Sequence, residues 1–327
     1  MNSPASPSEH GRSAELQASP ASASPDSPAS QACAEAPSHF GRSSAQHADP
    51  LVSMRGVTFR RGERTLFENV DFDLHPGEFV AVLGPNGAGK STFLNLLLGQ
   101  LHPEEGSITV DGASPGRLSG RGGHVGFVPQ QRAFDPGLTL RGRDLVRLGA
   151  DGHRFGPGMP RWLPSKTRAI TDSIVADSIA LMRVEHLADK QIGKMSGGEQ
   201  QRMRIAQALA TDPHVLLCDE PLLSLDLHGQ RTVAEVLEHM RTEHGTGVVF
   251  VTHEINPVLP LVDRVIYLVD GRHRIGTPDE IFTSETLSEL FNTRVEVLRV
   301  RGQVVVVGDS GRLGASIATP DDAGGED

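Results

Sequence analysis

Gly84-Pro85-Asn86-Gly87-Ala88-Gly89-Lys90-Ser91-Thr92 is the stretch on which the fold turns. It fits the pattern G-x-x-x-x-G-K-[ST]. Glycines let the backbone bend until successive N–H groups point at phosphate oxygens. A helix starting there adds the positive end of its dipole. Lys90 can reach the outer phosphates, and the Ser91 hydroxyl can ligate Mg²⁺. The flanks agree with this reading. Phe79 to Leu83 is an apolar run that predicts a buried strand entering the loop, and Phe93 to Leu98 predicts a buried helix leaving it. The competing reading is a glycine-rich turn that merely carries a lysine. The chain has only four lysines, at 90, 166, 190 and 194, which weakens that reading.

Composition sets the outer bounds. With 327 residues the chain can bury one large core or two modest ones. A formal net charge of -10 argues against nucleic acid as the main partner. The two cysteines, Cys33 and Cys218, suggest neither a disulfide framework nor a metal site and fit a reducing cytosol. No apolar run approaches the roughly 20 residues that span a bilayer, and no secretory signal opens the chain. The expectation is a soluble or peripheral protein.

Residues 1–50 are rich in Ser, Ala and Pro and are expected to be disordered. From Leu51 the composition changes. Val52 to Phe59 and Leu66 to Leu74 predict antiparallel strands joined by a turn at Arg61-Gly62-Glu63. Residues 106–112 predict a short strand, 116–123 a glycine-rich basic loop and 125–128 a core strand ending at Pro129-Gln130-Gln131. Residues 132–195 predict a helical insert. It holds a short helix over 139–148, an irregular stretch over 149–164, and a helix over 168–184 with Ile170, Ile174, Ile179 and Met182 on a core-facing stripe. A helix over 197–211 precedes an apolar strand over 214–218. A helix over 225–243 and strands over 247–252 and 264–269 follow. Helix 283–292, with Ser284 as cap, leads to a hairpin around Arg301-Gly302 within 293–309, then to an acidic flexible tail over 310–327. Alternating strands and helices argue for an α/β fold.

Such sheets bind ligands beyond the carboxyl ends of their strands. Four strands here end in polar groups: the phosphate loop, Gln130, Asp219-Glu220 and His253. The apolar run into Asp219 matches a Walker B strand. Asp219 is placed to hold Mg²⁺ through a water opposite Ser91, and Glu220 to act as general base on a water facing the γ-phosphate, which contributes typically about 10²–10⁴-fold.

Met195-Ser196-Gly197-Gly198-Glu199-Gln200-Gln201-Arg202 narrows the choice. Here the chain resembles the nucleotide-binding subunits of ABC transporters, whose signature is usually L-S-G-G-Q. Met195 and Glu199 are the departures. The resemblance covers about residues 51–292, with a helical subdomain over about 132–195. It implies a P-loop NTPase core of mixed sheet and helices, with an antiparallel β subdomain. It also implies ATP with Mg²⁺, and a head-to-tail homodimer in which Ser196, Gly197 and Gly198 contact the γ-phosphate of the other subunit's ATP. By the same resemblance Gln130 senses Mg²⁺ and the membrane partner, Glu220 is the base and His253 the switch histidine. Asp226, in Leu223-Ser224-Leu225-Asp226, lies in the loop that crosses the dimer interface. The family commonly stacks a tyrosine on adenine, and that slot holds Arg61 in this chain. A guanidinium can also stack on a base, and whether Phe59 substitutes is open.

Several stretches are similar to ATPase subunits of bacterial zinc/manganese/iron-type importers: residues 125–130, 218–226 and 252–260, with Gly276 to Glu280 ahead of the terminal helix and hairpin. This implies a polytopic transmembrane permease, an extracytoplasmic substrate-binding protein, and a peripheral place on the cytoplasmic face of the cell membrane. The 14 histidines form no ligand cluster and are not evidence for a metal. Two alternatives stand beside metal import: an ABC ATPase for another cargo, and a soluble ABC ATPase outside transport.

Overall fold

The structure, a computed structural model, describes residues 49–115, 125–152 and 166–308. The expected N-terminal tail, the loop over 116–123, most of the stretch over 149–164 and the acidic tail lie outside the described residues.

A central six-stranded sheet is built from β3 (Phe79–Leu83), β5 (Val125–Val128), β6 (Val215–Asp219), β7 (Gly247–Val251), β8 (Arg264–Val269) and β9 (Arg272–Gly276). Its order is β5-β6-β7-β3-β8-β9. The first five strands are parallel, and β9 runs antiparallel to β8. The sheet is therefore mixed. Strands β3, β6 and β7 are buried at every position, as near-continuous apolar runs in a parallel sheet require.

The pleat sorts these strands between two cores. Phe79, Ala81 and Leu83 join Leu216, Cys218, Val248, Phe250, Val265 and Tyr267 in one. Val80 and Val82 join Val215, Leu217, Val249, Val251, Ile266 and Leu268 in the other. The second core is closed by helix α1 (Lys90–Leu97) and by the sheet of β1 (Val52–Arg61), β2 (Arg64–Leu74) and β4 (Glu105–Val110), in the antiparallel order β2-β1-β4. Phe93 of α1 meets Phe67 and Phe72 of β2 edge-on, with centroids 6.0 and 5.8 Å apart. The first core takes in α2 (Gly142–Asp151), α3 (Lys166–Leu181), α4 (Gly197–Leu209) and α5 (Leu227–His244). The short helix α6 (Pro278–Ile281), helix α7 (Ser284–Phe291) and the hairpin of β10 (Val295–Val300) and β11 (Gln303–Gly308) also pack there.

Four details depart from the sequence-based expectation. Helix α2 begins at Gly142 rather than near 139, because Arg141 pairs with Gln191 in an antiparallel bridge and Gly142 donates its N–H to the Lys190 carbonyl. Thr283, not Ser284, caps α7: its hydroxyl accepts from the Thr286 N–H, while the Ser284 hydroxyl accepts from Val297 N–H in the hairpin. Ile170 is 52% exposed, so the core-facing stripe of α3 runs instead through Val175 and Ile179, with Met182 buried just past its end. Strand β9 was not expected, since Arg272, His273 and Arg274 hide the apolar alternation that marks a strand.

Candidate functional site

The parallel order puts the carboxyl ends of β5, β6, β7 and β3 side by side, with Val128 opposite Cys218, Asp219 opposite Val251 and Val251 opposite Val82. The polar residues after these ends therefore share one sheet edge.

The loop after β3 is shaped by glycine. Gly84 has φ +145°, and a Cβ there would lie 2.2 Å from the Leu268 carbonyl oxygen, so the backbone turns against β8 in a way no side chain permits. Ala88 closes the turn by donating its N–H to the Pro85 carbonyl (3.1 Å). Gly89, at φ +103°, begins α1 in a left-handed conformation, with its own missing Cβ facing the Phe67 ring at 3.0 Å. No side chain caps α1, and its first turn carries no acid. The first N–H groups of that helix are thus presented to an anion, together with the positive end of the dipole.

Lys90 is buried, and its Nζ donates to the carbonyls of Gly84 (2.6 Å) and Pro85 (3.1 Å). Burial pulls its ammonium below the ordinary lysine range, against the attraction of Glu220 and Asp219. The side chain is folded back across the loop it serves, so its charge sits where phosphates would enter. Ser91, one residue on, donates its hydroxyl to the buried Asp219 carboxylate at the end of β6. Burial pushes the Asp219 carboxyl up. The Ser91 bond and Lys90 oppose the rise, and the like charge of Glu220 adds to it. Ser91 and Asp219 bring two hard oxygens together, and Mg²⁺ favours one or two protein oxygens, with waters and phosphates completing its octahedron. The donor set therefore fits that ion.

Glu220 is held in the left-handed region at φ +50°, a conformation that costs a non-glycine residue about 1–3 kcal/mol. Its N–H donates to the Val251 carbonyl (2.9 Å), which fixes the turn. Its carboxylate then meets residues from both neighbouring strand ends. Gln130 Nε2 donates to one oxygen (3.1 Å), and His253 Nδ1 lies 3.6 Å from the other. Gln130, Asp219, Glu220, His253, Lys90 and Ser91 are thus linked within one chain. The carboxylate faces a site flanked by an amide and an imidazole, an arrangement suited to orienting a water and accepting its proton.

The signature stands at the start of α4. Ser196 is its N-cap in a full capping box: its hydroxyl accepts from Glu199 N–H (3.3 Å), and Glu199 Oε2 accepts from Ser196 N–H (2.7 Å). A Cβ at Gly197 would lie 2.7 Å from Gln131 Nε2, and one at Gly198 would lie 3.1 Å from the Ser224 carbonyl oxygen. Within one chain the signature therefore packs on Gln131 and Ser224. Asp226 is the N-cap of α5, its carboxylate accepting from Gly229 N–H at 2.8 Å.

Arg61 ends β1 as an exposed residue, opposite Arg64 across the hairpin turn. Phe59 packs partly buried against the second core. Arg64 escaped the sequence reading. Its Nη1 lies 3.8 Å from where a Cβ on Gly87 would stand, and its Nη2 pairs with Asp270 at 3.0 Å. The turn expected at Arg61-Gly62-Glu63 sets Arg64 directly after it, and in the structure Arg64 stands opposite Arg61, so the turn was the available signal. Ser224, under Gly198, lies in the segment 223–226 that the sequence had marked, whereas Gln131, under Gly197, carried no such signal.

Comparison with known proteins agrees with this fold. The ABC transporter family profile matches residues 67–223. The chain is 33% identical over 260 residues to a zinc import ATP-binding protein of Alkalilimnicola ehrlichii, covering 79% of this chain and 90% of the relative. It is 34% identical over 268 residues to a hemin import ATP-binding protein of Pseudomonas aeruginosa, covering 79% and 99%. Among solved structures, an inward-facing transporter described as of metal-chelate type superposes with a TM-score of 0.63 at 28% identity, covering 79% of this chain and 96% of that one. This chain belongs to the ABC transporter family, among the ATP-binding subunits of its importers, and is an ATPase.

Proposed function

We propose that the chain is the ATP-hydrolysing subunit of an importer that brings a divalent metal across the cytoplasmic membrane, zinc above the other candidates. The single observation that carries the hydrolytic part is the Gln130–Glu220–His253 cluster beside the phosphate loop. In this reading residues 84–92 bind the ATP phosphates, Lys90 neutralises the outer ones, and Ser91, Asp219 and Gln130 hold Mg²⁺. That ion would draw off charge at the phosphates when bound. Glu220 takes the proton of the attacking water, His253 orients the carboxylate and the terminal phosphate, and Gln130 links their state to the membrane partner. Ser196, Gly197 and Gly198 complete the site of a second copy, with Asp226 at the crossing loop and Arg61 stacked on the adenine.

Two copies then work as a head-to-tail homodimer under a polytopic permease, with an extracytoplasmic binding protein delivering cargo. Among the described residues no helix is long and apolar enough to cross a membrane, so attachment to the cytoplasmic face would come through the permease. The domain limits that suit this reading are a tail over 1–50, the ATPase over 51–292 with the helical part near 132–195, the hairpin over 293–309 and a tail over 310–327.

Zinc rests on the zinc-import relative. A second reading, import of a metal chelate such as hemin, is favoured by a relative matched along 99% of its length and by the metal-chelate type transporter. The test is uptake in a deletion strain carrying the chain and its co-purified permease. Zinc accumulation that returns with the wild-type chain, and not with Lys90→Ala, supports the proposal. Restored uptake of hemin without zinc transfers it to the second reading.

A further inference from the structure

We propose that Lys190 is a positioning residue for the signature: by neutralising the Glu199 carboxylate it lets Ser196 and Gly198 approach the terminal phosphate held by a second copy. The inference rests on the role given to Ser196–Gly198 above.

The difficulty it resolves is electrostatic. A carboxylate in the first turn of a helix stabilises that helix, but beside an anion site it repels the ligand. Glu199 stands in that turn, and its Oε2 lies 2.7 Å from Ser196 N. It is therefore within one residue of the groups that would meet a phosphate. The same oxygen accepts from Lys190 Nζ at 2.8 Å. One cation thus cancels the one negative charge in the first turn of α4. Burial acts to raise the Glu199 carboxyl, but the bonds from Lys190 and Ser196 outweigh it and hold the group below its ordinary range. The charge therefore persists and must be balanced rather than titrated away.

Lys190 is itself set in place by the fold. Its N–H donates to Leu187 carbonyl (3.0 Å), and its carbonyl accepts from Gly142 N–H (3.0 Å) at the start of α2. The backbone of Lys190 is fixed in this way, and its ammonium reaches across nine residues to Glu199. The helical region is thereby coupled to the charge balance of the signature.

The experiment compares Lys190→Met, Glu199→Gln and the double variant. Each is made in the Glu220→Gln chain, and ATP-dependent dimerisation is followed by light scattering. Lys190→Met should raise the half-maximal ATP concentration about tenfold, the scale of one uncompensated charge near another at a partly desolvated surface. Glu199→Gln alone should not raise it. The double variant should return to within about twofold of the parent, because the neutral amide keeps the cap without the charge. Binding of a fluorescent ATP analogue to the monomer should stay unchanged throughout. If the double variant is as impaired as Lys190→Met, or if Lys190→Met has no effect, the proposal is overturned. Ser196→Arg separates this from the underlying reading. Dimerisation lost in Ser196→Arg but normal in Lys190→Met removes only the lysine's role. Dimerisation intact in Ser196→Arg removes the signature reading itself.

Discussion

Replacing Gly84 with alanine isolates the contact that ties the phosphate loop to the central sheet. The new Cβ would sit 2.2 Å from the Leu268 carbonyl oxygen and 3.2 Å from its carbon, at a φ of +145°. Leu268 belongs to β8, whose register against β3 pairs Leu83 with Tyr267. Neither strand can yield without losing ladder bonds. A side chain in so rare a conformation costs about 1–3 kcal/mol. Overpacking adds about 1–3 kcal/mol more. The sum, about 2–6 kcal/mol, is a large share of a net stability of about 5–15 kcal/mol. At about 2–4 °C per kcal/mol, a loss near 4 kcal/mol lowers the melting temperature by about 8–16 °C. Gly112→Ala is the internal control, since its φ is +70° but nothing lies within 4 Å of the added carbon. It should cost only about 1 kcal/mol, the conformational part. Urea denaturation of the two variants, with ATP affinity measured beside it, makes the comparison. Gly84→Ala as stable as Gly112→Ala, with normal ATP binding, would show that the contact with β8 does not hold the loop.

Phe93→Ala, which removes a fully buried ring packed against Phe67 and Phe72, should cost about 3–5 kcal/mol in chemical denaturation. Asp219 gives a pH signature. Its carboxyl is raised in the folded chain above the ordinary 3.8, chiefly by burial, so its contribution is full below 3.8 and is lost as pH rises through the folded value. Melting temperatures of the nucleotide-free chain should therefore fall across that window, and Asp219→Asn should flatten the fall while abolishing Mg²⁺-dependent turnover. Deleting residues 1–48 should leave ATPase turnover within about twofold of the parent, since the enzyme reading draws every role from residue 51 onward.

The sequence was most informative where one physical signal dominated. The apolar runs of β3, β6 and β7 are buried at every position, and the polar residues that follow them along the chain mark the shared edge. The phosphate loop was legible because its glycines and lysine have few other reasons to stand in that order. Strand β9 was not, because it is an edge strand whose pairing with β8 is made by backbone, while its side chains are largely charged. The start of α2 was set by a bridge to Gln191, fifty residues away in sequence. The Lys190–Glu199 pair and Gln131 under Gly197 are likewise products of tertiary placement. Charge and periodicity along the chain carry no trace of them.

We propose Glu220 as the base of the ATP-hydrolysing site assembled at this sheet edge. Glu220→Gln keeps the shape and the hydrogen bond to Gln130 while removing the charge. The direct measurement is ATP affinity and steady-state turnover of this variant beside the parent. ATP should still bind, and turnover should fall by about 10²–10⁴-fold. Hydrolysis at the parental rate would contradict it.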